Sequence, residues 1–151
     1  MSAIATSSKN NRPLFLAISV LALAGVVVSA VSLQRHYAKS TTAFCDVGEK
    51  FNCDIVNRSE YSSIMGIPVA GIGVAGYLVL LALATVYRSR AETPVRLLAA
   101  AVTGLGFAVY LTYVEGFVLD TWCILCLGSL GLIAAITVLS GIIKARVSVA
   151  R

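Results

Sequence analysis

Four stretches of this sequence, at positions 14–33, 67–87, 97–119 and 122–143, contain almost no charged residues. Each is about 20 residues long or slightly longer, and a helix of that length reaches about 30 Å, the hydrocarbon thickness of a bilayer. None of the four shows a polar stripe at helical periodicity, so a soluble helical bundle does not explain them. They predict an all-α membrane protein built as a four-transmembrane-helix bundle.

Composition supports a membrane location. Of the 151 residues, 58% are hydrophobic and 13% are charged, against roughly 25% charged in soluble domains. The net charge is +5, but the basic residues are scattered and form no patch that would bind nucleic acid. We therefore expect membrane lipid, and no nucleic acid, among the partners of this chain.

The distribution of lysine and arginine along the sequence predicts how the protein is oriented in the membrane. With four spans both termini share one side, which carries eight basic residues: Lys9, Arg12, Arg88, Arg90, Arg96, Lys144, Arg146 and Arg151. The other side has four, in a loop that also holds most of the acidic residues. The positive-inside rule then predicts cytoplasmic tails at 1–12 and 145–151, a membrane domain at 13–144 and an outward-facing loop at 34–66.

The first apolar stretch has a second interpretation. Basic residues precede it and it contains Val28-Ser29-Ala30 near its end, as in a secretory signal peptide with a cleavage site. Its length favours a retained span, and the loop faces outward in both cases.

Within the loop, residues 54–65 predict a short surface helix lying over the mouth of the bundle. Pro68 fits the first turn of the second span.

The four cysteines fall into two pairs. Cys123 and Cys126 form a C-x-x-C at the head of the fourth stretch, and Cys45 and Cys53 lie in the outer loop. The free amides of a helix N-terminus favour a thiolate at Cys123, while Cys126 lies a turn deeper among apolar residues. This favours redox chemistry by thiol–disulfide exchange. Two structural disulfides remain an alternative; a zinc site is disfavoured by the cysteine spacing.

Other polar residues near the membrane have simple interpretations. We expect His36 to be an interfacial anchor and Trp122 to belong to an aromatic belt. Glu115 and Asp120 lie at the outer end of the third stretch, where an interfacial position explains them without a role in proton transfer.

The pattern as a whole resembles the vitamin K epoxide reductase family. The matching pieces, in order, are Phe-Cys-Asp-Val-Gly at 44–48, Cys53, Ser59, Met-Gly-Ile-Pro-Val-Ala at 65–70 and Trp-Cys-Ile-Leu-Cys at 122–126. The resemblance extends over nearly all of residues 14–143. It implies a four-helix bundle around a quinone, with an outer redox-active loop.

The resemblance also implies roles for individual residues. Cys123 and Cys126 correspond to the active-site pair, and Cys45 and Cys53 to the loop pair that shuttles electrons to it. The residues expected near the quinone are Ser59, Ser62, Met65, Trp122 and Leu130. Ser62 and Leu130 replace an asparagine and a tyrosine of vertebrate members, which favours simple quinone reduction over epoxide reduction.

The expected activity is therefore that of a membrane quinone reductase that drives disulfide formation. The quinone is of the ubiquinone, menaquinone or vitamin K type. The electron donor is a separate thioredoxin-like or DsbA-like periplasmic protein, and the catalytic face is the periplasmic face of a bacterial inner membrane. The alternatives are vitamin K epoxide reduction and a non-catalytic membrane protein with structural disulfides. A DsbB-type enzyme is disfavoured because its cysteine pairs come in the opposite order.

Overall fold

A computed structural model describes residues 9–37, 48 and 50–150. The principal helices are α1 (Arg12–Tyr37), α2 (Cys53–Arg58), α3 (Val69–Thr85), α4 (Thr93–Tyr113) and α5 (Ile124–Val149). A π-helical turn, Val114–Val118, continues α4. The structure is therefore an apolar helical bundle with one elaborated loop.

Within the described residues, three helical segments are long and apolar enough to cross a membrane: Arg12–Tyr37, Thr93–Val118 and Ile124–Val149. This agrees with three of the four expected spans. The remaining one, α3, is also apolar but has 17 residues, about 26 Å of helix against about 30 Å of hydrocarbon. A helical membrane bundle is confirmed, and the count of four spans stays a prediction.

The helices extend beyond the apolar stretches at several ends. α1 begins two residues before position 14, and α5 continues to Val149, past the basic residues Lys144 and Arg146. α4, the helix of the third apolar stretch, begins at Thr93, before the expected start at position 97. Pro94 lies in its first turn, where the missing proline N–H costs no hydrogen bond.

The bundle is held together along α1, which packs against α3 and α5, while α4 packs against α5. The core is aliphatic, with Ile18, Leu97 and Ile136 fully buried. Gly25 on α1 lets the ring of Tyr77 on α3 lie directly over the backbone, because a Cβ there would come within 2.3 Å of that ring. The close approach directs Tyr77 across the bundle.

The outer segment folds over one end of the bundle. After α2 come a 3-10 turn, Glu60–Ser62, and a small hairpin of β1 (Ser63–Ile64) and β2 (Ile67–Pro68). The expected surface helix over 54–65 is thus only partly formed, since α2 covers 53–58 and the rest is turn and hairpin. Pro68 immediately precedes α3 instead of lying within its first turn.

Candidate functional site

The C-x-x-C lies at the start of α5, as the sequence predicts. Cys123 is the N-cap residue, with extended backbone angles, and Cys126 lies in the first turn. Both are free thiols; Cys123 is buried and Cys126 is partly buried. The Cys126 thiol, as a hydrogen-bond donor, lowers the pKa of Cys123, which precedes the helix. The pair is suited to thiol chemistry with Cys123 as the more readily ionised member.

A short backbone pairing fixes the loop to the segment before α5. Trp122 N–H donates to the carbonyl of Lys50 at 2.8 Å, and Asn52 N–H donates to the carbonyl of Trp122 at 3.1 Å. The Trp122 indole packs on Gly116, where a Cβ would approach it to 2.8 Å. This pairing places α2 directly beside Cys123.

Cys53 is the first residue of α2 and shares one buried cluster with Cys123 and Val56. The Asn52 side chain caps the helix by accepting hydrogen bonds from the amides of Asp54, at 3.0 Å, and Ile55, at 3.2 Å. Cys53 is disulfide-bonded. Cys45, its expected partner in the relay, lies outside the described residues. One cysteine of the loop pair is therefore adjacent to the active-site pair.

Glu115, which the sequence analysis predicts at the membrane interface, is buried inside the protein. The π turn directs its carboxyl group toward the start of α5, where Oε2 accepts a hydrogen bond from the Cys123 amide at 3.1 Å. Only 2% of the residue is exposed. Asp120, the other acidic residue of this region, is exposed and has a positive φ of 48°. The two carboxylates thus have different environments.

A cavity of about 570 Å³ opens beside Cys126, between the bundle and the outer segment. Most of its wall is aliphatic, from α1, α3, α4 and α5. The polar or titratable residues in the lining are Ser29, Ser32, His36, Asn57, Ser59, Tyr61, Ser62, Tyr77, Thr103, Glu115, Cys126 and Ser129. A mostly apolar cavity with a few converging polar groups is typical of a site for an apolar small molecule.

The expected quinone contacts divide into two groups. Ser59 and Ser62 line the cavity, while Met65, Trp122 and Leu130 are not among its lining residues. Met65 is 98% exposed in the hairpin turn. The contact of these five residues with a quinone stays a prediction, which the cavity supports for the two serines alone.

The hydroxyl groups of these serines are already engaged. Ser59 Oγ donates to the carbonyl of Val56 at 2.8 Å, and Ser62 Oγ donates to the carbonyl of Ser59 at 2.6 Å. His36 Nδ1 donates to the carbonyl of Asn57 at 2.5 Å and lies 3.4 Å from Ser62 Oγ. His36 is therefore a cavity residue that ties α1 to α2, and its position at the membrane interface stays a prediction.

Asn57 and Tyr77 are polar cavity residues that the sequence analysis did not single out. Asn57 is 7% exposed, and its Nδ2 has no hydrogen-bond partner among the described residues. Its position four residues after Cys53, on the same face of a helix, was an available signal. Tyr77 donates its hydroxyl hydrogen to the carbonyl of Ser129 at 2.8 Å, a contact between α3 and α5 that sequence spacing does not reveal.

The sequence was also compared with models of known protein families. The model of the vitamin K epoxide reductase family matches residues 16–141, which include α2, the C-x-x-C and every residue of the cavity lining. Membership in this family implies a membrane oxidoreductase linked to quinone or vitamin K chemistry, in agreement with the apolar helices and the free thiol pair. This chain therefore belongs to the vitamin K epoxide reductase family.

Proposed function

We propose that this protein is a membrane quinone reductase that generates disulfides. Electrons enter from the dithiol of a separate thioredoxin-like or DsbA-like protein, pass through Cys53 and Cys45 to Cys123 and Cys126, and leave to a quinone. The observation that carries the proposal is the position of the active-site pair. Cys123 shares a buried cluster with Cys53 of the loop, and Cys126 lines the cavity.

Thiol exchange accounts for the first half of the reaction. A thiolate attacks a disulfide sulfur, forms a mixed disulfide and releases the other sulfur as a thiolate. Cys123 is the N-cap residue of α5 and shares a buried cluster with Cys53, so it is the member of the active-site pair that exchanges with the loop. Cys53 is fully buried, so an external dithiol reaches it only when the outer segment moves away from α5.

The cavity supports a quinone as the electron acceptor. Its volume and aliphatic walls suit an apolar ring and the start of an isoprenoid tail. The Asn57 Nδ2 group is a buried donor without a partner among the described residues, and a quinone carbonyl oxygen is an acceptor. Asn57 would therefore hold the ring, and Cys126 would lie on the cavity wall facing it. A bound quinone supplies a two-electron, two-proton oxidant.

The orientation and the cellular site are part of the same proposal. The excess of basic residues on the side of the two termini favours a cytoplasmic position for both ends. The loop that contains Cys53 then faces the periplasm of a bacterium, where disulfides form and where a thioredoxin-like donor would meet it.

Trapping of the partner tests the relay. Removing a resolving thiol leaves a mixed disulfide in place, so Cys45→Ala should accumulate an adduct between Cys53 and the donor protein. The adduct is detected as a reducible band on a non-reducing gel and identified by mass spectrometry. The matched variant Cys53→Ala should give no band.

Other outcomes of this experiment argue against parts of the proposal. An adduct in Cys53→Ala and none in Cys45→Ala would reverse the roles of the two loop cysteines. The absence of an adduct in both variants would refute a thioredoxin-like donor and favour cysteines that only brace the loop.

A further inference from the structure

Glu115 is a buried carboxyl group that the exchange of thiols does not itself require. It is the one carboxylate among the described residues that line the cavity. Its Oε1 atom is buried and has no partner at hydrogen-bonding geometry within the described part of the chain. Burial of a polar atom without a hydrogen-bond partner costs free energy, and such an atom in a folded protein calls for a functional explanation.

The π turn gives this carboxyl group its direction. Leu119 N–H donates to the carbonyl of Val114 at 3.0 Å, the i to i+5 bond of a π-helix, and Thr121 N–H donates to the carbonyl of Glu115 at 3.1 Å. These bonds draw the end of α4 toward the segment before α5. The Glu115 side chain then meets the Cys123 amide. Single π turns of this kind are frequent at functional sites.

The same carboxyl group lines the cavity together with the Cys126 thiol, and it is hydrogen-bonded to the amide of Cys123, three residues before Cys126. The other titratable residues of the cavity lining are His36, Tyr61 and Tyr77. His36 Nδ1 is bonded to a backbone carbonyl, and the Tyr77 hydroxyl is bonded to Ser129. Glu115 is therefore the one carboxylate in the described lining that lies beside the active-site pair, in a position to accept a proton from Cys126.

We infer that Glu115 accepts the proton of Cys126 when the active-site pair is oxidised, an inference that rests on the proposed function. The Cys126 S–H bond breaks, its proton moves to the Glu115 carboxylate, and an S–S bond forms between Cys123 and Cys126. The two electrons released reduce the quinone. The protons of both thiols end on the two hydroquinone oxygens, and Glu115 returns to the carboxylate.

Glu115→Gln tests this assignment. Glutamine keeps an oxygen that accepts the Cys123 amide but does not take up a proton. We expect quinone reduction by the reduced protein to slow by roughly 100-fold, a common contribution of a positioned acid–base group. Asp120→Asn is the matched control because Asp120 is exposed five residues away, and asparagine tolerates its positive φ. Its rate should stay within about twofold of wild type.

Alkylation of the reduced pair by iodoacetamide is a readout that needs no quinone. Removal of a negative charge beside Cys126 makes a thiolate easier to form, so Glu115→Gln should be alkylated faster than wild type and at lower pH. Slower quinone reduction together with faster alkylation separates proton transfer from the supply of thiolate. If Glu115 had only a structural role, its replacement by glutamine would not slow quinone reduction and speed alkylation at the same time.

Three results would overturn the inference. They are quinone reduction at the wild-type rate in Glu115→Gln, a parallel loss of both alkylation and quinone reduction, and equal rates for Glu115→Asp and Glu115→Gln, since aspartate retains a carboxylate. If the wild-type protein itself reduces no quinone, the proposed function fails instead, and the alkylation profile shows whether Glu115 still acts on the thiols.

Discussion

Asn57→Leu is expected to stabilise the protein while weakening its quinone site. The Asn57 Nδ2 group is buried and, within the described residues, has no hydrogen-bond partner. A buried donor without a partner costs about 1–3 kcal/mol. Leucine has the same branched arrangement of side-chain heavy atoms and no polar atom, and the cavity that position 57 lines has room for its larger volume. The free energy of unfolding of the quinone-free protein should therefore rise by up to about that amount.

The same substitution should reduce quinone affinity. With leucine at position 57, a quinone carbonyl in the cavity loses its donor and is buried unpaired. The loss of about 1–3 kcal/mol corresponds to a roughly 5- to 150-fold increase in Kd. The backbone carbonyl of Asn57, which accepts from His36, is unchanged, so α2 should keep its position.

Both effects are measurable in detergent. Thermal unfolding of the quinone-free protein gives the stability change, and titration with short-chain ubiquinone and menaquinone gives Kd. Ile55→Ala is the matched control, since Ile55 lies on the same helix, is 51% exposed and does not line the cavity. A destabilised Asn57→Leu protein, or one with unchanged affinity for both quinones, would refute the assignment of Asn57.

Two further predictions concern the bundle and its orientation. Gly25→Ala should destabilise the protein by about 1–3 kcal/mol by overpacking against Tyr77, whereas Gly76→Ala, which meets no atom within 4 Å, should be neutral or slightly stabilising in thermal unfolding; equal effects would contradict the packing described. Alkaline phosphatase should be active when fused after residue 58 and inactive when fused after residue 90, and the reverse pattern would place the cysteine loop in the cytoplasm.

Much of the bundle was predictable because it depends on hydrophobicity alone. Long uncharged stretches identify the helices, and the position of a C-x-x-C at the start of one of them places Cys123 at an N-cap. α3 is shorter than its apolar stretch because the hairpin takes up Ile67 and Pro68. The two strands of this hairpin have two residues each, too few to produce an alternating pattern of apolar and polar residues in the sequence.

The cavity was less predictable because it depends on contacts between distant segments. Glu115 is buried through a π turn, a one-residue change in helical register that composition does not reveal. His36 is drawn into the cavity by a carbonyl 21 residues away. Tyr77 reaches Ser129 across 52 residues, and this contact requires the absence of a side chain at Gly25.

The proposed function requires the cysteine pair at the start of α5 to deliver its electrons to a quinone. The most direct test is a single turnover in which purified protein is reduced, freed of reductant and mixed with excess short-chain quinone. The expected yield is about two hydroquinones per protein, measured by absorbance, because the reduced loop pair, Cys45 and Cys53, also passes its electrons through Cys123 and Cys126. A new Cys123–Cys126 disulfide should be identified by mass spectrometry, and Cys126→Ser should give no hydroquinone. Quinone reduction by Cys126→Ser at the wild-type yield, or a wild-type pair that stays reduced, would contradict the proposed function.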